Sequence, residues 1–212
     1  MTAAAPLDEA GSYSLGLSFA NQWRTSGLMP RMSKEQVLRG IDAGLDGAAL
    51  TPEDRTRASE FMKAAYAAVG TSNQAKADEF LARNLREAGV RSTPSGLQYQ
   101  VLVAADPTAR PAGPEDKLTV KYRGRFIDGT EFDSTDARGQ PSVIKPSMVI
   151  QGWREALGLM GRGAKWRLFI PPKLAYGSSP PPAIPPNSLL IFEVEIIDVD
   201  LRGNSTLSPK PR

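Results

Sequence analysis

The chain has 212 residues, of which 41% are hydrophobic and 23% charged, the proportions of an ordinary globular protein. Its net charge is +3, but Lys and Arg are scattered rather than clustered, so no nucleic-acid-binding patch is expected. There is no cysteine and no histidine, which excludes disulfides, Cys nucleophiles, Ser-His-Asp triads and His-based metal sites. Any chemistry must come from carboxylates, hydroxyls, amides, aromatic rings or shape, and neither cofactor nor metal is expected. No apolar run approaches the roughly 18 residues that a membrane-spanning helix needs.

Residues 1–10 (MTAAAPLDEA) lack a basic n-region and an apolar h-region, so no signal peptide is read there. The Ala/Pro-rich start is like the spacer that follows a cleavage site, and residues 1–11 are expected to form a flexible leader. A compartment in the periplasm or cell envelope is favoured on that ground, with the cytoplasm as the alternative.

Proline divides the rest. Three of the 18 prolines (Pro6, Pro30, Pro52) precede residue 94 and 15 follow. Because proline removes a helical hydrogen bond and clashes with the preceding turn, residues 12–93 can be helical and 94–200 mostly cannot. Ser12 is expected to cap a first helix with Leu15, Phe19 and Trp23 on one face. Ser33 and Gln36 form a capping box before Val37, Leu38, Ile41 and Leu45. Thr51-Pro52 supplies a cap and an N1 proline before Ala58, Phe61, Met62, Ala65 and Val69. Gly70-Thr71-Ser72-Asn73 is expected to interrupt or kink that helix. A last one carries Ala77, Phe80, Leu81, Leu85 and Ala88 up to Gly89 as its C′ residue. Short helices with narrow apolar stripes bury little alone, so self-association through them is expected. The plainer alternative packs the stripes on the second half.

The second half reads as strands: 97–103, 118–126, 164–170 and 189–199, with a hairpin signal at Asp128-Gly129 and one short helix over 153–160. Many strands and one helix predict an α+β design, an antiparallel sheet wrapped around the helix. The tail 201–212 is polar and expected to be flexible.

Four motifs stand in order between Val120 and Val199: VKYRGRFIDGTEFDST, VIQGWREALGLM, AYG and IPPNSLLIFEVEIIDV. In that order and spacing, residues 95–199 closely resemble the FKBP domain. The opening SYSLGLSFANQW and the linker STPSGLQYQV resemble the helical domain of bacterial members similar to the macrophage infectivity potentiator. The resemblance implies an N-terminal all-α dimerisation domain with a stalk helix, giving a V-shaped homodimer. It implies next an FKBP-like sheet curled around one helix, and peptidyl-prolyl cis/trans isomerase activity on proline-containing polypeptides. Macrolides such as tacrolimus and rapamycin are implied inhibitors.

Carried onto this chain, the resemblance makes Asp133 and Tyr176 the catalytic pair. It makes Tyr122, Phe132, Arg138, Val149, Ile150, Trp153, Ile184 and Phe192 the substrate pocket. Trp153 would be the floor and Tyr122, Phe132 and Phe192 the aromatic wall. The Ile150 N–H and the Tyr176 hydroxyl would donate to a bound carbonyl, and Asp133 would sit beside the rotating amide with Arg138 as partner. Taken singly, each residue has a duller explanation: the aromatics as core, Asp133 as a turn residue, Tyr176 as a loop anchor. The joint pattern carries the functional reading. Two departures follow: Ser142 occupies a rim position that is aromatic in some relatives, and Pro180-Pro181-Pro182 stiffens the loop after Tyr176. That stiffness is expected to narrow the range of X-Pro substrates. The alternative function is a holdase-type chaperone, a binding module using the cleft of the dimer.

Overall fold

The structure is a computed structural model and describes residues 9–200; the expected leader lies largely, and the expected tail wholly, outside them. The described residues form two compact units, 9–72 with 178–186, and 73–177 with 187–200.

In the first unit, α1 (Glu9–Thr25) is followed by a 3-10 turn (Met29–Arg31), α2 (Lys34–Leu45) and the opening of α3 (Pro52–Asn84). Helix α1 begins three residues before Ser12, so Ser12 lies in its first turn rather than capping it. Ser33 does cap α2, its Oγ accepting from the Gln36 N–H at 3.4 Å. Thr51 and Asp54 cap α3 reciprocally: Asp54 N–H donates to Thr51 Oγ1 (3.1 Å) and Thr51 N–H to Asp54 Oδ2 (3.2 Å). The Thr51 hydroxyl, donating to Asp54 Oδ2 at 2.6 Å, and next the Thr51 N–H hold the Asp54 carboxyl below its ordinary pKa. The buried core of this unit is small, with Leu28, Ala65 and Val69 surrounded by Met32, Met62 and Tyr66. Gly27, at φ +75°, lets the chain turn directly against Val69.

The expected interruption at 70–73 does not occur: α3 runs unbroken for 33 residues. Gly70 costs about 1 kcal/mol in a helix interior. Breaking there would create two new ends with up to four unpaired N–H and four unpaired C=O groups, which costs more. Thr71 Oγ1 also finds a local acceptor, the Ala67 carbonyl at 3.0 Å. At the far end, the helix stops at Asn84, before the expected Gly89 (φ +79°), which instead sits in the turn entering the first strand.

The second unit is a seven-stranded antiparallel sheet of β1 (Val90–Ser92), β2 (Gln98–Val103), β3 (Lys117–Arg125), β4 (Glu131–Ser134), β5 (Ser142–Ile144), β6 (Lys165–Ile170) and β7 (Leu190–Asp200). Its order is β1-β2-β6-β7-β3-β4, with β5 also on β3. One short helix, α4 (Gln151–Leu157), lies between β5 and β6; it begins and ends earlier than the expected 153–160, leaving Leu159 and Met160 in a turn. Burial alternates along β7, so Leu190, Phe192, Val194 and Ile196 share the inner face with Leu168 and Ile170 of β6. Trp153, Ala156 and Leu157 of α4 are buried with them. A Cβ on Gly152 would meet Ile170 Cγ2 at 2.5 Å, so only glycine allows α4 this close to β6.

The end of α3 belongs to this unit and docks on the opposite face. Phe80 packs on Phe169, with ring centroids 5.9 Å apart. Buried Asn84 donates to Gln98 Oε1 (2.9 Å), and Gln98 Nε2 donates to the Leu81 carbonyl (3.0 Å). No helix among the described residues is long and apolar enough to cross a membrane.

Candidate active site

The site is built where the outer edge of β3 changes partner. Residues 123–125 pair with β4 and 118–120 with β5, leaving Tyr122 between the two ladders. Thr135 fills the gap. Tyr122 N–H donates to Thr135 Oγ1 (3.0 Å), and Thr135 N–H donates to the Tyr122 carbonyl (3.0 Å). Thr135 is 2% exposed. Past Ser134 the chain leaves the ladder and turns over residues 135–139, which carries Arg138 back to Asp133 while Tyr122 keeps a fixed backbone.

The Tyr122 hydroxyl donates to Asp133 Oδ2 at 2.7 Å. Arg138 donates to the same hydroxyl and stands 3.4 Å from Asp133 Oδ1. One acid, one phenol and one guanidinium thus form a closed, half-exposed triangle. Burial, and next the hydrogen bond to Asp133, push the Tyr122 phenol above its ordinary pKa.

The aromatic side chains meet edge to face. Tyr122 and Trp153 lie 5.1 Å apart at 89°, Trp153 and Phe192 5.2 Å at 89°, and Phe132 and Phe192 5.5 Å at 88°. This is the arrangement that ring quadrupoles favour. Trp153 is 5% exposed and its buried indole N–H has no acceptor. Phe126 adds a fifth ring beside Phe132 at 4.7 Å.

Val149 and Ile150 follow the 3-10 turn Pro146–Met148 and are half-buried. Among the described residues no acceptor takes the Ile150 N–H, while its carbonyl starts α4 by accepting from Arg154 N–H. Tyr176 follows another 3-10 turn (Pro172–Leu174) and is 41% exposed. Burial first, and the negative charge of Asp133 second, raise its pKa, so the phenol stays protonated and remains a donor. The structure therefore gathers Tyr122, Phe132, Asp133, Arg138, Trp153 and Phe192 by direct contact, and places Tyr176 within the field of Asp133. Ile184 is buried but joins none of those ring or hydrogen-bond contacts. It lies in the loop 178–186, its N–H donating to the Pro181 carbonyl, and Asn187 N–H closes the loop on the Gly177 carbonyl at 2.8 Å. Ser142 is a β5 residue opposite Val120.

Two supporting residues escaped the sequence reading. A Cβ on Gly124 would meet Phe132 Cζ and Phe192 Cε1 at 2.7 Å, so the two rings close over bare backbone. A glycine inside an alternating strand, two residues after Tyr122, is the signal that marks such a close approach. Thr135 had no comparable signal, because its role depends on which strands flank the break.

The site contains neither cysteine nor histidine. No group of three or more acidic side chains among the described residues could hold a metal ion. What it offers is an apolar ring-lined surface, a carboxylate held by two donors, and two donors without acceptors.

Comparison with known proteins agrees with that chemistry. The profile of the FKBP-type peptidyl-prolyl cis-trans isomerase domain matches residues 108–197, and that of the domain amino-terminal to such isomerases matches residues 8–101. The chain is 40% identical over 200 residues to an FKBP-type 22 kDa peptidyl-prolyl cis-trans isomerase of Escherichia coli, covering 91% of this chain and 96% of that one. It is 37% identical over 199 residues to the outer membrane protein MIP of Legionella longbeachae, covering 89% and 84%. The crystal structure of FkpA from Escherichia coli superposes with a TM-score of 0.65 at 32% identity, covering 93% of this chain and 99% of that one. Matched along nearly its whole length, the chain belongs to the FKBP-type peptidyl-prolyl cis-trans isomerases, with the helical domain that precedes them, and its activity is the cis–trans isomerisation of X-Pro peptide bonds.

Proposed function

We propose that the isomerase works by stabilising a twisted amide in the ring-lined cluster, with no covalent step. The observation carrying this is the meeting of Tyr122, Trp153, Phe132 and Phe192 around an acid already held by Tyr122 and Arg138. Rotation about a peptide bond faces a barrier of ~18–20 kcal/mol because resonance gives the C–N bond double-bond character. At the twisted geometry resonance is lost and the carbonyl oxygen carries less charge. An apolar surface then disfavours the planar amide more than the twisted one, which is binding energy expressed at the transition state. The prolyl ring rests on Trp153. The Ile150 N–H and the Tyr176 hydroxyl hold carbonyls of the chain. Asp133, tethered from two sides, lies beside the rotating bond. The stiffness of the proline-rich loop that carries Ile184 narrows the substrates accepted.

The helical unit supports self-association with a second copy. Leu15, Phe19, Val37, Ile41 and Leu45 line an apolar groove of about 920 Å³. Leu15, Phe19, Ile41 and Leu45 are 60%, 53%, 44% and 82% exposed. Such a contiguous apolar surface is rare on a monomer. A homodimer would also hold client chains near two active sites, raising their effective concentration and adding a holdase role. A relative named as an outer membrane protein supports an envelope location.

The test is cis-to-trans isomerisation of a Leu-Pro-Phe tetrapeptide with and without rapamycin. Catalysis abolished by the macrolide supports the pocket; catalysis that persists at saturating macrolide refutes it. Asp133→Leu separates the two roles: turnover falls while suppression of aggregation stays, and loss of both would tie holding to the pocket.

A further inference from the structure

The turn that leads to Ile150 has little to hold it internally. Pro146 is fully buried and has no N–H to donate. Within the turn, Met148 N–H donates to the Lys145 carbonyl (3.0 Å), and from outside, Ser147 N–H donates to the Pro114 carbonyl (3.0 Å). The carbonyls of Pro146 and Ser147 are held by one side chain from the next element. Arg154, one helical turn beyond Ile150, reaches back along α4. Its Nε donates to the Pro146 carbonyl (3.3 Å) and its Nη2 to the Ser147 carbonyl (3.1 Å). No carboxylate pairs with Arg154 among the described residues. The guanidinium therefore serves as a two-pronged backbone clamp. A planar fork presents two donors in a fixed geometry to the two successive carbonyls, whereas an ammonium is a point donor on a flexible stem and holds them less rigidly.

We propose that Arg154 is a positioning residue for the isomerase, locking the Pro146–Met148 turn so that the Ile150 N–H is aimed at a bound carbonyl. This rests on the reading of Ile150 as a substrate donor. Arg154 does not touch the reacting amide, and its effect passes through the backbone of 146–150. The Ile150 donor binds its carbonyl in both the planar and the twisted state. Loosening it weakens both alike, which raises KM and leaves kcat nearly unchanged.

The experiment compares Arg154→Met and Arg154→Lys with the wild type. Methionine keeps an apolar stem over the turn and removes both donors. It is expected to raise KM, and the rapamycin inhibition constant with it, by about fivefold to tenfold, with kcat within about twofold. Lysine, able to reach one carbonyl, is expected to recover part of both losses, leaving KM about twofold to threefold above wild type. Arg154→Lys alone decides the matter if Arg154→Met does not fold. Unchanged KM and macrolide affinity in the folded variants, with a wild type that rapamycin inhibits, would overturn the clamp. So would a fall in kcat at constant KM, the pattern of damage to the ring cluster. A wild type that catalyses but ignores rapamycin would overturn the pocket reading itself, a distinct result visible before any variant is made.

Discussion

The two units bury their apolar side chains in opposite ways. In the sheet unit Leu97, Leu118, Val120, Leu157, Leu168, Ile170, Leu190 and Ile196 are 0% exposed, and α4 is locked in by a glycine contact. In the helical unit α2 buries no residue at all, and Leu15, Phe19, Ile41 and Leu45 stay open along one groove. Both units use the same kinds of apolar residue at regular spacing. A sheet that curls around a helix satisfies its own inner face, whereas two short helices and the start of a third leave a stripe that only another surface can cover. The lesson is that the sheet unit closes its own core, whereas the helical unit leaves an apolar stripe open, as the proposed self-association requires.

The largest test of that contrast is Phe192→Ala. Phe192 is 6% exposed and touches three rings. Its loss should cost about 3–5 kcal/mol of sheet-unit stability in urea unfolding. Turnover should fall by more than about tenfold, while sedimentation still reports the wild-type oligomer. An oligomer that dissociates would mean the units are not independent. Ile41→Lys makes the reverse cut. Removing one apolar contact of ~1.5–3 kcal/mol should weaken self-association roughly tenfold to hundredfold. Tetrapeptide turnover should be unchanged, and a fall in it would show the pocket depends on assembly.

Asn84→Ala probes where α3 joins the sheet. It leaves the buried Gln98 carboxamide oxygen without its donor, at a cost of about 1–3 kcal/mol in sheet-unit stability. A loss confined to helical signal would mean α3 does not brace the sheet. Thr51→Ala removes the cap at the other end of the same helix and should cost ~1 kcal/mol, read by circular dichroism on heating. The smallest effect is of pH. There is no histidine, and the Tyr122 and Tyr176 phenols are both raised, chiefly by burial. A raised folded-state pKa adds stability that is complete below the ordinary tyrosine value and is lost as pH rises through the raised one. The kcat/KM should therefore be flat from about pH 6 to about pH 9 and decline only in strong alkali. A bell centred near neutrality would reveal a titrating group that the site does not contain.

Much of the fold is legible in residue order. Ser33 and Thr51 act as the caps that their patterns suggest, because capping is a local exchange between a side chain and N–H groups two or three residues on. The long strands β3, β6 and β7 follow their alternation. The short β1 and β5 do not stand out, since three residues contain no period to read. The passage through Gly70 to Asn73 reads as a break by propensity and is helix in fact, because end groups cost more than one glycine. In the site, motif spacing points to the rings and the acid. The resemblance also suggests Arg138 as the partner of Asp133, but nothing in the spacing reveals that the Tyr122 hydroxyl holds the same carboxylate, nor that Arg154 grips the turn before it.

What the sequence determined by itself is the class of chemistry and the order of its parts. Without histidine or cysteine, and with aromatic, acidic and glycine positions in a fixed series, it admits a rotation catalysed by shape and excludes Cys nucleophiles and Ser-His-Asp triads. The tertiary structure alone decided which backbone groups are free to act. The partner change along β3, the Thr135 bonds that bridge it and the glycine under Phe132 and Phe192 join residues distant in the chain. Such contacts depend on strand register and ring packing, which local spacing does not encode.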